Sequence, residues 1–244
     1  MKVIKLGGSL LDDASRREAA LEKIVARWNA GEDIVLVHGG GKHIDAALAK
    51  RGIAKRTHAG LRVTDDVTLD VVVSVLGGAV NKMLVSELTK LGVRAAGISG
   101  CDGATLIAEK HADIDGIDLG HVGKVSGSNR ALVNALLTTG TMPVISSIAI
   151  GTDGALFNVN ADAAATAIAV AHGAKELLFL TDVPGLLDED GNVVPHLNAA
   201  DAQQFLINVS GGMKPKLQAA LTALTSGVHA ISIGEEGGTT LVAA

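Results

Sequence analysis

Short runs of consecutive apolar residues alternate along the chain with longer stretches in which apolar positions recur every three to four residues. The runs at 3–6, 34–38, 94–99, 105–109, 143–148, 177–181 and 229–233 predict strands. Several are apolar on successive positions, as in strands covered on both faces. The stretches near 42–51, 65–91, 129–139, 162–172, 199–207 and 213–226 predict helices. A further helix follows the first strand, with Ser15 and Glu18 as a capping-box pair and Gly31 as its stop. Strands alternating with helices predict a mainly parallel sheet with helices on both sides. The 188–198 stretch is rich in Asp, Gly and Asn and predicts a hairpin loop, and a domain break is expected near Gly173.

Composition narrows the class. At 48% hydrophobic over 244 residues, the chain can bury a full core. Aromatic residues make up only 2%, with no Tyr at all. That argues against an aromatic-rich β-sandwich and against single-stranded nucleic-acid binding, which stacks bases on aromatic rings. The net charge of −5 argues against a phosphate-backbone binder. A single cysteine, Cys101, allows no internal disulfide. No signal peptide is visible, and no run approaches the roughly 18 apolar residues of a membrane span. A cytoplasmic setting without membrane or nucleic-acid partners is the expectation.

The 30 glycines cluster where strands end. Gly7-Gly8-Ser9 follows the first strand, Gly39-Gly40-Gly41 the second, and Gly211-Gly212 precedes the last long helix. Glycines there let backbone N–H groups approach an anion, and the next helix start adds its dipole. One such loop is ordinarily a tight turn; two on adjacent early strands point to phosphate. No P-loop, dinucleotide fingerprint or protein-kinase signature accompanies them.

Lys5 stands inside an apolar strand just before Gly7-Gly8. Either its stem snorkels from an edge or its ammonium faces a bound anion, and the short opening strand favours the anion. Lys214 and Lys216 open a helix, either as a solvated helix start or, since cations are unfavourable there, as partners of an intervening anion. Asn160 and Asp162 are ordinary helix caps by type. Asn158 and Asn160, two apart in an extended segment, nevertheless point the same way and suit one polar ligand. Arg62 is either a surface charge or a carboxylate-binding fork. His38 is expected in a core or strand-end role, and Cys101 inert.

Together these segments resemble the amino acid kinase family. The resemblance spans Lys5-Leu6-Gly7-Gly8, Val37 to Gly41, Gly60-Leu61-Arg62-Val63-Thr64-Asp65, Val80-Asn81-Lys82, Gly97 to Gly103, Asn158 to Asp162, Leu180 to Leu186, and Gly211 to Lys216. The Arg62-Val63-Thr64-Asp65 and Asn-x-Asn elements are similar to the branch that phosphorylates the side-chain carboxylate of N-acetyl-L-glutamate.

The resemblance implies a three-layer αβα sandwich with an open, mainly parallel sheet of about eight strands. Residues 1–172 would form a substrate-binding and dimerising lobe, and residues 173–244 an ATP-binding lobe. The reaction implied is ATP-dependent acyl phosphate formation, the second step of arginine biosynthesis. Lys5 and Lys216 would stabilise the transferring phosphoryl group, with Asp162 holding both lysines. Gly7 and Gly8 would meet phosphate, and Gly40 and Gly41 the attacking carboxylate. Arg62 would take the α-carboxylate, and Asn158 and Asn160 the acetylamino part. Thr181, Asp182, Val183, Pro184, Gly185, Leu186 and Leu187, with Val209 and Ser210, would form the nucleotide cleft. Mg²⁺ would arrive with ATP and be held mainly by phosphates and water.

The chain begins at its first strand, and its segment after Ile233 is short. The expectation is a homodimer without arginine feedback, with the outer wall of the nucleotide site altered. An acylated α-aminoadipate or another acylglutamate, such as succinyl, is the alternative substrate. A non-catalytic sensor on the same scaffold is the alternative of a different class.

Overall fold

Strand β1 (Lys2–Leu6) occupies the middle of an eight-stranded sheet. In the computed structural model, residues 1–188, 190–209, 213–235 and 238–242 are described. The sheet order is β12-β14-β13-β11-β1-β2-β8-β5. Its strands are β2 (Ile34–His38), β5 (Ala95–Ser99), β8 (Met142–Ser146), β11 (Glu176–Leu180), β12 (His196–Leu197), β13 (Ala230–Gly234) and β14 (Thr239–Val242). All the pairs from β13 to β5 are parallel, whereas β13 and β14 are antiparallel.

Alternate residues of β1 enter different cores. Val3 packs with Val35, Val37, Leu177 and Phe179 beneath α7 (Ala161–Ala171) and α9 (Met213–Thr225). Ile4 and Leu6 pack on the opposite side with α2 (Ala14–Asn29), α3 (Gly41–Lys50) and the long helix over 66–90. The result is the expected three layers. Lys5 has the parity of Val3, so it projects toward α7 and α9.

The long helix comprises α4 (Asp66–Val73), a π-helical segment (Ser74–Val80) and α5 (Asn81–Lys90). By length and composition it could cross a membrane. Here its apolar stripe, Val72, Leu76, Val80, Leu84 and Leu88, is packed in the core of this α/β unit.

A second sheet, in the order β10-β9-β6-β7, was not foreseen as a unit. It contains β6 (Ile107–Lys110), β7 (Gly123–Gly127), β9 (Ile148–Ile150) and β10 (Leu156–Asn158). The apolar run expected as one strand at 143–148 is divided between β8 and β9, because the chain changes sheets at Ser147. β7 is flanked by glycines and alternates in polarity, so it lacks an apolar run. A two-stranded hairpin, β3 (Thr57–His58) and β4 (Leu61–Arg62), and helix α6 (Ala131–Thr138) before β8 complete the architecture.

One cap differs from expectation. Helix α1 (Gly8–Asp12) precedes α2, and the α2 N-cap is Asp13 rather than Ser15. Asp13 is extended, and its carboxylate accepts from the N–H groups of Ser15 and Arg16, leaving Ser15 inside the helix. In the 188–198 stretch, Leu187 and Val193 form an antiparallel bridge and Asp188 N–H donates to Asn192 O. The main sheet continues across residue 173 through the β1–β11 pairing.

Candidate active site

The strand order reverses direction at β1, with β2 on one side and β11 on the other. Ligand crevices in open α/β sheets lie beyond the carboxyl ends of strands at such a point. Lys5, the Gly7-Gly8 turn, the His38–Gly41 loop and Thr181 all occupy these ends.

Lys5 is 7% exposed and its ammonium lies 2.9 Å from Asp162 Oδ1. Lys216, in the first turn of α9, places its ammonium 3.1 Å from Asp162 Oδ2. Burial pushes the Lys5 pKa down, the Lys216 charge adds to this, and Asp162 opposes it. Burial would raise Asp162, but the two ammonium groups outweigh it and hold the carboxyl below its usual value. Lys214 is exposed on the same helix.

A cavity of about 550 Å³ opens beside this triad. Of the residues singled out from the sequence, Lys5, Gly8, Gly40, Gly41, Arg62, Asn158, Asn160 and Asp162 line it. Gly7 has a packing role instead: a Cβ there would sit 2.9 Å from the Leu180 carbonyl oxygen. A Cβ on Gly8 or Gly41 would meet nothing within 4 Å, so both leave open space along the cavity. Gly40 is the α3 N-cap and is crowded by Leu76.

The Arg62-Val63-Thr64-Asp65 segment divides its labour. Thr64 is fully buried and its hydroxyl donates to the Arg62 carbonyl. Asp65 caps α4 through Thr68 N–H. Only the Arg62 side chain reaches the cavity. Its Nη2 lies 2.5 Å from Asp45 Oδ1 and donates to the Gly41 carbonyl oxygen at 3.1 Å. Its Nη1 is buried with no hydrogen-bond partner among the described residues.

Asn158 closes β10 and donates through Nδ2 to Thr64 Oγ1 at 3.2 Å. Asn160 is the N-cap of α7: its Oδ1 accepts from the N–H groups of Asp162 and Ala163. The cap seats Asp162 in the first turn, where the helix dipole favours a carboxylate.

The residues expected around the nucleotide are spread over several places. Thr181 is buried and lines a cavity of about 170 Å³ beneath α2. Asp182 is exposed, and hydrogen bonding, chiefly from Ser9, holds its carboxyl below the usual range. Val183 is half-buried and Pro184 exposed. Gly185 abuts Thr239, and Leu186 is core, its N–H donating to Thr239 Oγ1 at 2.7 Å. Leu187 and Val209 meet at a cavity of about 520 Å³ beside α8 (Ala199–Asn208). Ser210, Gly211 and Gly212 lie outside the described residues. Among the described residues, no group of three or more His, Cys, Asp or Glu is placed to hold a metal ion.

His38 forms the centre of a buried brace. Its Nε2 accepts from Asn81 Nδ2 at 3.0 Å and its Nδ1 donates to Gly39 O at 2.9 Å. Asn81 also donates to Val144 O and takes a bond from Lys82. Burial lowers the His38 pKa to about 4, so the ring is neutral at pH 7. Cavity residues that sequence reasoning missed include Ile44, Leu76, His111 and Lys124. Ile44 and Leu76 read as ordinary helix-core positions, and His111 and Lys124 belong to no motif.

The amino acid kinase family profile matches residues 1–235. An acetylglutamate kinase of Solibacter usitatus (strain Ellin6076) is 42% identical over 258 aligned positions, covering 99% of both chains. Among solved structures, smu.665 from Streptococcus mutans UA159 superposes with TM-score 0.87 at 29% identity, covering 99% of this chain and 98% of that one. N-acetylglutamate synthase from Neisseria gonorrhoeae, complexed with coenzyme A and N-acetyl-glutamate, superposes with TM-score 0.86 at 25% identity, covering 99% of this chain and 59% of that one. The chain belongs to the amino acid kinase family, and within it its sequence groups with the acetylglutamate kinases.

Proposed function

We propose that this kinase transfers the γ-phosphoryl group of ATP to the side-chain carboxylate of N-acetyl-L-glutamate, the acyl phosphate-forming step of arginine biosynthesis. One observation carries the assignment of roles. Two lysine ammonium groups converge on one buried carboxylate at the edge of a cavity that also contains an arginine donor with no partner among the described residues.

Phosphoryl transfer needs positioning and charge neutralisation rather than covalent help. Arg62 Nη1 binds the substrate α-carboxylate. Asn158 keeps its amide oxygen for the acetamido N–H, while its Nδ2 is engaged by Thr64. Asn160, whose carbonyl oxygen is committed to capping, has only its amide N–H₂ to offer. Gly40 and Gly41 hold the side-chain carboxylate at the start of α3. A carboxylate oxygen attacks the γ-phosphorus in line. The bond from that phosphorus to the β,γ-bridging oxygen breaks, and its electron pair leaves on ADP.

Lys5 and Lys216 neutralise the charge on the transferring group and the β-phosphate. Asp162 fixes their separation and accepts no proton. Gly8 gives the phosphates close access to the backbone. Residues 173–244 carry the adenosine end, at the cavity that Leu187 and Val209 line together with Leu197 and Phe205. Mg²⁺ would arrive with ATP, held mainly by phosphates and water, and would supply further charge neutralisation. The family resemblance also leads us to propose a homodimer, which light scattering of the purified protein reads directly.

The test is an ATP-dependent assay in which hydroxylamine traps the acyl phosphate. Acetylglutamate yields the hydroxamate, and N-acetyl-aminoadipate and N-succinylglutamate do so at lower kcat/KM. Preference for either analogue reassigns the substrate. No hydroxamate with any of them, despite measurable binding, makes the protein a sensor.

A further inference from the structure

The donor that the proposed function assigns to the α-carboxylate sits on the least supported element of the site. Arg62 ends a hairpin of two residues per strand, and a lone two-stranded ribbon does not rigidify an arginine by itself. Its guanidinium is nevertheless held. Asp45 Oδ1 lies 2.5 Å from Arg62 Nη2, and Asp45 Oδ2 accepts from Lys55 Nζ at 2.8 Å. Asp45 is on α3, one turn after Gly41, whose carbonyl oxygen takes the other contact of Nη2. The helix that forms the second glycine loop therefore also grips the arginine.

Two features give this grip a direction. With Nη2 engaged by Asp45 and Gly41, Nη1 is left buried and, among the described residues, unpartnered in the wall of the cavity. The cluster of Asp45, Arg62 and Lys55 carries one net positive charge, so it is one anion short of neutrality. A substrate carboxylate supplies that anion.

We propose that Asp45 is a positioning residue: it clamps Arg62 against α3 so that Nη1 faces the free α-carboxylate of the acyl amino acid. The proposal rests on the reading of Arg62 given above. Asp45 itself does not touch substrate. It ties the α-carboxylate subsite to the loop that holds the reacting carboxylate, and so sets the spacing between the two ends of the substrate.

The experiment compares N-acetyl-L-glutamate with its α-carboxamide, N-acetyl-L-isoglutamine, on wild-type, Asp45→Asn and Asp45→Glu proteins. Asp45→Asn keeps the side-chain shape and removes the charge. It is expected to raise KM for the α-acid about tenfold, the scale of one charge-assisted hydrogen bond. The KM for ATP and kcat stay within about twofold, and so does kcat/KM for the α-amide, which has no charge for Arg62 to meet. Asp45→Glu restores part of the preference for the acid. Equal losses on acid and amide would reduce Asp45 to a structural residue, and an unchanged or lower KM for the acid would make it a bystander or a competitor for Arg62. Both outcomes overturn the proposal while leaving the assigned reaction intact. A wild-type protein inert toward acetylglutamate overturns the assigned reaction itself.

Discussion

Lys5 and Asp162 form an ion pair of 2.9 Å between side chains only 9% and 8% exposed, and Lys216 binds the other oxygen of the same carboxylate. Without the central charge, two ammonium groups would face each other in a poorly solvated crevice. Removing one member of a buried ion pair costs about 3–5 kcal/mol. Asp162→Asn is therefore expected to lower the melting temperature and to reduce kcat by roughly a hundredfold or more, the range seen on losing a preorganised charge-stabilising group. Calorimetry and steady-state kinetics measure the two effects. Wild-type kcat in a folded Asp162→Asn protein would remove Asp162 from the site.

The kcat/KM profile should fall on its alkaline side. Lys5 works as a cation, and burial lowers its pKa from 10.5. The free protein thus loses that proton at a lower pH than an exposed lysine would, and kcat/KM reports the free protein. The expected limb has an apparent pKa below 10.5. Lys5→Arg, which stays charged across this range, removes the limb along with most of the rate. A limb unchanged in Lys5→Arg would assign it to another group.

Stability should depend on His38 between pH 4 and 6.5. Its folded-state pKa is about 4 against an ordinary 6.5. Within that window the unfolded chain binds the additional proton, so stability increases with pH. The contribution is complete above pH 6.5 and is lost as pH falls toward 4. That difference corresponds to about 3 kcal/mol. Urea unfolding at pH 5 and pH 7 reads the slope, which is expected to flatten in His38→Gln. An identical slope in that variant would exclude His38 as the source.

Two glycines should respond oppositely to alanine. A Cβ on Gly97 would collide with Asn81 Oδ1, inside the His38 brace, so Gly97→Ala is expected to cost about 3 kcal/mol. A Cβ on Gly8 would meet no atom of the described residues within 4 Å and would project into open space along the cavity. Gly8→Ala should therefore fold normally and lose at least about tenfold in kcat/KM, the effect of displacing a positioned group. Melting curves and kinetics on both variants test this, and a Gly8→Ala protein with full activity would place the phosphates elsewhere.

Much of this molecule could be read from its sequence. Six strands of the main sheet follow from apolar runs, because burial on both faces of a parallel sheet leaves a local signature. Lys5 was conspicuous because it interrupts such a run. The second sheet was harder to read: β7 has glycine at both ends, and β9 continues the apolar run of β8 without a break. Asn158 and Asn160 both border the cavity, yet Asn160 also serves as the α7 cap. His111 and Lys124 reach the cavity only because β6 and β7 fold over it, and no spacing rule connects them to Lys5.

By itself, the sequence determined the layer architecture, the glycine-rich turns beyond the first two strands and the charged residues beside them. These are properties of single elements, encoded in periodicity and in what each backbone turn tolerates. Only the tertiary structure decided that Lys5 and Lys216 share one carboxylate, that Arg62 is gripped by Asp45 with one nitrogen left free, and that Gly7 packs while Gly8 opens onto space. Each of those depends on side chains from elements far apart in the chain. Their meeting is set by strand parity in β1, by the packing of α7 and α9 on its face, and by the direction in which α3 leaves the sheet.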